Sequence, residues 1–385
     1  MNDDIRPFTL AIEETVLVDL RRRLEHARWP QQETGQGWDQ GMPLAQMRAI
    51  ADYWRTDYDW RRCETMLNGF GQFVTEIDGL DIHFLHVCSP EPDAMPLLMT
   101  HGWPGSVIEF HKVVGPLTNP AAHGGRAEDA FHLVLPSLPG YGFSGKPTQA
   151  GWKVQRIAQA WSILMRRLGY TRYVAQGGDW GAGITTALGA QRPEGLAGVH
   201  VNLPMVLPRD IPAELSTEEK AMLDALAHYN AWESGYSIQQ ATRPQTLGYG
   251  LADSPVAQAA WIIEKFHAWT DHDGNLPATL TRDDMLDNVM LYWLTNSGTS
   301  SARLYWESSV GAFSGARIEL PAGCSVFPNE LYRAPRSWCE SHMPNLIHWN
   351  ELDRGGHFAA FEVPDLFISE VRSCFGKLRS SGFAE

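Results

Sequence analysis

In Gly177-Gly178-Asp179-Trp180-Gly181 a carboxylate stands with one glycine two residues before it and another two after. Small residues at those offsets let a strand turn sharply into a helix and present the central side chain as a nucleophile, here Asp in the place where Ser is commoner. Taken alone, a glycine-rich turn whose Asp caps the next helix would read the same way. A second motif, His101-Gly102-Trp103-Pro104-Gly105, follows the apolar run Leu97-Leu98-Met99-Thr100, where a loop can lend a backbone N–H to an oxyanion. Trp103 and Trp180 are the two expected backbone donors. Beyond that loop, Ser106-x-x-Glu109 reads as a capping box with a purely structural role. A third motif, Arg354-Gly355-Gly356-His357-Phe358, places a general base near the C-terminus. The required chain order is nucleophile, acid, then His. Glu330, in Phe327-Pro328-Asn329-Glu330, fits the acid, whereas Glu351 and Asp353 share the strand and loop of His357 and suit solvent or a turn.

The choice of aspartate has a chemical consequence. A serine attacking an alkyl carbon would make an ether, which water activated by His357 cannot cleave. An aspartate makes an alkyl ester, and water can then attack the Asp179 carbonyl while the oxyanion is held by the backbone donors. Asp179 therefore points to alkylating substrates, epoxides or alkyl halides. An opening epoxide also needs an acidic O–H for its alkoxide, and Tyr236 and Tyr305 are candidates, although taken singly a lid tyrosine more often serves packing. No metal or organic cofactor is needed for these steps.

Asp179 and His357 must be carried by something rigid. Phe73 to Ile77 and Leu80 to Phe84 flank Asp78-Gly79, which predicts a tight hairpin. Short apolar strands then alternate with helices: Leu97 to Thr100, Leu133 to Leu135, a helix through Ile157 to Leu168 ended by Gly169, Tyr173 to Ala175, a helix stopped by Pro193, and Val199 to Val201. That rhythm predicts an α/β fold with a mostly parallel sheet. From 207 to 312 strand signals vanish, and they resume at Cys324 to Phe327 and Ile347 to Trp349. The expected organisation is an N-terminal helical extension over 1–70, an α/β-hydrolase core over 71–206 and 313–385, and a helical lid over 207–312. The extension shows helical stripes through Leu17, Leu20 and Leu24 and through Leu44, Met47, Ala51 and Trp54.

The 385 residues carry a net charge of −14, which argues against a nucleic acid or anionic membrane partner. The five cysteines form no disulfide or Cys-x-x-Cys pattern. No run reaches the roughly 18 apolar residues of a membrane span, and the start lacks a signal-peptide pattern, so a cytoplasmic protein is expected. The many aromatics of the lid predict a roomy apolar pocket for a small molecule. His101, Pro104, Trp232 and Trp306 are expected to line it.

Together the elbow, the His101-to-Gly105 loop and the closing Arg354-Gly355-Gly356-His357-Phe358-Ala359-Ala360-Phe361-Glu362 resemble the microsomal-type epoxide hydrolases. The resemblance covers nearly the whole chain, including Arg6-Pro7-Phe8 and the lid segments Glu233-Ser234-Gly235-Tyr236 and Asn288 to Trp293. It implies Asp179 as nucleophile, His357 as base, Glu330 as orienting acid, and Tyr236 with Tyr305 as proton donors to the epoxide oxygen. Mammalian members begin with a membrane anchor; this chain starts at the segment that follows it, so attachment is not carried over. A vicinal diol would be the product, in detoxification, growth on an epoxide or natural-product synthesis, and oligomeric state is left open, a homodimer included. The alternatives are a haloalkane dehalogenase with the same Asp and His, a serine-type esterase, which would need another elbow residue, and a ligand-binding protein on the same fold.

Overall fold

The computed structural model describes residues 3–207, 211, 213–274, 279–308 and 316–379. Its centre is a nine-stranded sheet: β1 (Ile5–Phe8), β2 (Gln72–Ile77), β3 (Leu80–Val87), β4 (Met95–Thr100), β5 (Phe131–Pro136), β6 (Tyr173–Gly177), β7 (Leu196–Val201), β8 (Ala322–Val326) and β9 (Leu346–Glu351). The order across the sheet is β1-β2-β3-β5-β4-β6-β7-β8-β9. From β5 to β9 all neighbours are parallel, and β1, β2, β3 and β5 pair antiparallel. Asp78 and Gly79 both take positive φ, 52° and 77°, as the hairpin between β2 and β3 requires. Every residue of β6 and β8 is buried, in keeping with parallel strands covered on both faces.

The N-terminal segment is not purely helical. Before its helices Glu14–Glu25, Leu44–Thr56 and Trp60–Gly69, the stretch Ile5–Phe8 adds a strand to the sheet edge, pairing Pro7 with Phe73. A four-residue strand with a proline is tolerated at an edge because one side needs no ladder donors.

Between β7 and β8 the described chain is helical from Thr217 to Ser308, and the far end of the expected lid, 309–312, lies outside the described residues. Hydrogen bonds from the N-terminal segment are among the contacts that hold this inserted segment. Arg62 grips the buried Asp287 with both oxygens 2.7 Å from one guanidinium nitrogen, and the Tyr58 hydroxyl donates to the same carboxylate at 2.7 Å. The Tyr53 hydroxyl donates to Asp283 at 2.7 Å. The N-terminal segment thus holds the helix Arg282–Leu294, which in turn reaches the loop after β4. No helix among the described residues is long and apolar enough to cross a membrane.

Candidate active site

β6 delivers Asp179 to the middle of the sheet's C-terminal edge, where it takes φ 50°, ψ −128° before the helix Trp180–Gln191 starts. A residue with a Cβ held at positive φ is strained by roughly 1–3 kcal/mol, tolerated where the surroundings fix it. They do so through glycines. A Cβ on Gly177 would fall 2.1 Å from the Gly181 carbonyl oxygen, and one on Gly181 would fall 1.9 Å from that of Thr100. The spacing read in the sequence is therefore a steric necessity of the turn.

The Asp179 carboxylate divides its two oxygens. Oδ1 accepts from the Trp103 backbone N–H at 2.7 Å, and Oδ2 lies 3.3 Å from His357 Nε2. Gly102 permits that approach, since its Cβ would sit 2.2 Å from Oδ1. Trp180, the other expected donor, is the first residue of the helix that follows. The Trp103–Pro104 bond is cis.

The loop that offers the Trp103 N–H is braced from outside the core. Asn288 Nδ2 donates to the Pro104 carbonyl, the Tyr292 hydroxyl donates to that of Gly105, and the Ser106 hydroxyl donates to Asn288 Oδ1, each at 2.7 Å. His101 closes the loop from below: Nδ1 contacts the Gly102 carbonyl at 2.9 Å and Nε2 accepts from the Leu138 N–H at 3.2 Å. Its burial lowers its pKa to about 4, so it stays neutral as that acceptor.

His357 follows β9. Its Nδ1 lies 2.6 Å from Glu330 Oε1, which also accepts from the Leu331 N–H at 2.8 Å. The backbone N–H of His357 donates to the Trp269 carbonyl at 2.8 Å, linking the inserted segment to the histidine. Gly356 must lack a Cβ, which would lie 2.4 Å from that same carbonyl oxygen. Burial alone would push the imidazole pKa down, but the Glu330 charge and the Asp179 contact outweigh it and hold the pKa well above the ordinary value. Glu351 and Asp353 are exposed at the end of β9 and beyond it.

Above Asp179 lies a cavity of about 360 Å³, walled mainly by apolar side chains and entered by Tyr236 and Tyr305. That volume falls within the roughly 300–1,000 Å³ of small-molecule sites. Trp103 stacks on Tyr236 at 5.2 Å between centroids, and Trp180 meets Tyr305 edge-on at 4.7 Å. Burial pushes both phenols well above their ordinary pKa, so both remain protonated donors at neutral pH. Tyr229, not singled out in the sequence, lines the same cavity with its hydroxyl 2.9 Å from that of Tyr236.

The four expected pocket residues are not brought together there. Trp232 is 79% exposed and does not line the cavity. Trp306, 51% exposed, faces a separate groove beside Arg243 and Arg303. On the helix Gly298–Ser308 adjacent residues point about 100° apart, so Tyr305 faces in while Trp306 faces out. His101 and Pro104 are buried within the loop instead of facing the cavity. Ser106 accepts from the Ile108 N–H at 3.2 Å, but Glu109 reaches a small cavity beside Asp179 and His357.

A family model described as "Epoxide hydrolase N terminus" matches residues 5–110, and one described as "alpha/beta hydrolase fold" matches residues 95–252. A relative from Stigmatella aurantiaca (strain DW4/3-1) is 58% identical over 98% of this chain and 86% of its own. Epoxide hydrolase 1 of Sus scrofa is 36% identical over 98% of this chain and 90% of its own. The crystal structure of the juvenile hormone epoxide hydrolase of the silkworm Bombyx mori superposes with a TM-score of 0.89 at 32% identity, covering 98% of this chain and 96% of that one.

Proposed function

Because the chain belongs to the epoxide hydrolase family, with the α/β-hydrolase fold, and is a hydrolase acting on epoxides, we propose that it opens them through a covalent ester on Asp179. Asp179 is the nucleophile, His357 the base, Glu330 the acid that orients it, and Tyr236 with Tyr305 the donors to the epoxide oxygen. The observation that carries this reading is the division of the carboxylate, with Oδ1 on the Trp103 N–H and Oδ2 facing His357 Nε2. In the first step Oδ2 forms a bond to an epoxide carbon, the carbon–oxygen bond breaks, and the alkoxide takes a proton from a tyrosine.

Esterification removes the negative charge of Asp179. With that partner gone, the His357 imidazolium loses its proton more readily and returns it to the tyrosinate. The neutral imidazole then takes a proton from water as the hydroxide adds to Asp179 Cγ. Negative charge builds on Oδ1, against the Trp103 N–H and that expected from Trp180. Collapse breaks the Cγ–Oδ2 bond; Oδ2 leaves with the substrate carbon, takes the acid proton of Asp179, and the vicinal diol departs. The substrate class favoured by the apolar cavity of about 360 Å³ is an aryl or bulky aliphatic epoxide.

A single turnover in water labelled with heavy oxygen, with enzyme in excess, tests the reading. The label is expected in Asp179, with little in the first diol. Label appearing in that first diol would mean direct attack of water on the epoxide, and the ester route would fall.

A further inference from the structure

A second, much smaller cavity shares with the substrate-sized one only Asp179. It measures about 10 Å³, room for roughly one water. Its polar wall is formed by Thr100, Glu109, Gln176, Asp179, Asn202 and His357. Gln176 and Asn202 are 1% and 4% exposed. The Gln176 amide nitrogen is satisfied by Asn202 Oδ1 at 3.1 Å, whereas Gln176 Oε1 has no hydrogen-bond partner among the described residues. A buried acceptor left in that condition costs on the order of 1–3 kcal/mol unless something donates to it.

Glu109 is brought to the same place by a glycine. A Cβ on Gly105 would lie 1.1 Å from Glu109 Oε1, so only a glycine at 105 lets this carboxyl fold back beside the oxyanion loop. The group retains some accessible surface, yet burial pushes its pKa up to about 8, with His357 drawing it down and Asp179 pushing it up. It also takes a hydrogen bond from the Ser106 backbone, leaving acceptor capacity on the carboxyl for a second donor.

We propose that this small cavity seats the water that cleaves the Asp179 ester, and that Glu109 and Gln176 hold it there. The proposal rests on the covalent reading given above. A water donating one hydrogen to His357 Nε2 needs an acceptor for its other hydrogen if a lone pair is to face Asp179 Cγ. Asn202 Oδ1 and Thr100 Oγ1 already accept from Gln176 and Trp161, which leaves Gln176 Oε1 and the Glu109 carboxyl, and a carboxyl oxygen accepts in either protonation state. The position also separates the water from the alkyl group, which occupies the larger cavity.

The test compares the two half-reactions in rapid-quench experiments read by intact-protein mass. In Glu109→Leu the ester should form at the wild-type rate and hydrolyse roughly 10- to 100-fold more slowly, the fold-change of losing a strong hydrogen bond to the reacting group. kcat and KM should then fall together with kcat/KM unchanged, and Glu109→Gln, which keeps an acceptor, should recover most of the rate. Gln176→Leu should show the same split, and it decides alone if Glu109→Leu does not fold. Hydrolysis at the wild-type rate in a folded variant, or equal slowing of both steps, overturns the assignment. Absence of any ester in a His357→Gln background would instead overturn the covalent reading on which it stands.

Discussion

His357 Nε2 lies 3.3 Å from Asp179 Oδ2, with the opposite face of the imidazole held 2.6 Å from Glu330. One histidine thus stands between two carboxylates, and their charges set its protonation. Burial opposes the imidazolium, but Glu330 and Asp179 together keep its pKa well above the ordinary 6.5.

Removing one of those charges should return the imidazole towards neutrality. In Asp179→Asn the His357 pKa is expected to fall, read by nitrogen NMR of the ring. The raised folded value also has a sign in stability: its contribution is complete below about 6.5, the unfolded value, and is lost as pH rises through the folded one. Denaturant midpoints should therefore decline on the alkaline side in the wild type, and less so in Asp179→Asn. An unchanged pKa in that variant would show that Asp179 does not control the base.

The tyrosines should act on the first half-reaction only. Tyr236→Phe or Tyr305→Phe leaves one donor and should slow ester formation roughly 10- to 100-fold, whereas the double variant should lose on the order of 1,000-fold or more. Hydrolysis of ester already formed should be little altered. Tyr229 touches Tyr236 through its hydroxyl at 2.9 Å, so Tyr229→Phe should cost only a few-fold, on the scale of one neutral hydrogen bond. Stopped-flow tryptophan fluorescence, with Trp103 and Trp180 beside the reacting carboxylate, should follow both steps.

Arg62→Ala should unsettle both folding and chemistry. It leaves Asp287, whose side chain is 1% exposed, with the Tyr58 hydroxyl but without its cation, although Arg62 itself is 43% exposed. Breaking a fully buried pair costs about 3–5 kcal/mol, so this solvent-screened one should cost nearer ~2 kcal/mol. Burial already pushes the Asp287 pKa up to about 6 against the pull of Tyr58 and Arg62. A lower urea midpoint with kcat also reduced is expected, because the helix carrying Asp287 braces the Trp103 loop through Asn288 and Tyr292. Loss of stability with kcat intact would mean that the loop holds its shape unaided.

How far the sequence could be read depended on whether a residue's role was local. The glycines around Asp179 answer to clashes with Gly181 and Thr100 inside one turn, and a strand, a turn and a helix in succession can be recognised from spacing. Glu330 could be picked out by chain order. Pro7 hid β1, since an edge strand of four residues with a proline carries almost no alternation. The four pocket expectations went astray for a different reason: aromatic content locates a wall but not which way each ring turns, and neighbouring helix positions such as Tyr305 and Trp306 diverge. Glu109 was concealed by a satisfactory local explanation. Ser106-x-x-Glu109 has capping-box spacing, and nothing in the spacing tells that Gly105 leaves room for the carboxyl to reach the small cavity beside Asp179 and His357.

The hydrogen bonds from Asn288 and Tyr292 to the Pro104 and Gly105 carbonyls bear on how this chain can be re-engineered. A designer wishing to widen substrate range would naturally transplant the inserted helices from a relative onto this sheet. Here the helix Arg282–Leu294 is at once clasp of the Trp103 loop and docking point for Arg62 and Tyr58. A graft that includes it has to import the matching N-terminal helices as well. Recombination would face the same linkage, keeping the first 70 residues and that one helix together as a unit of inheritance.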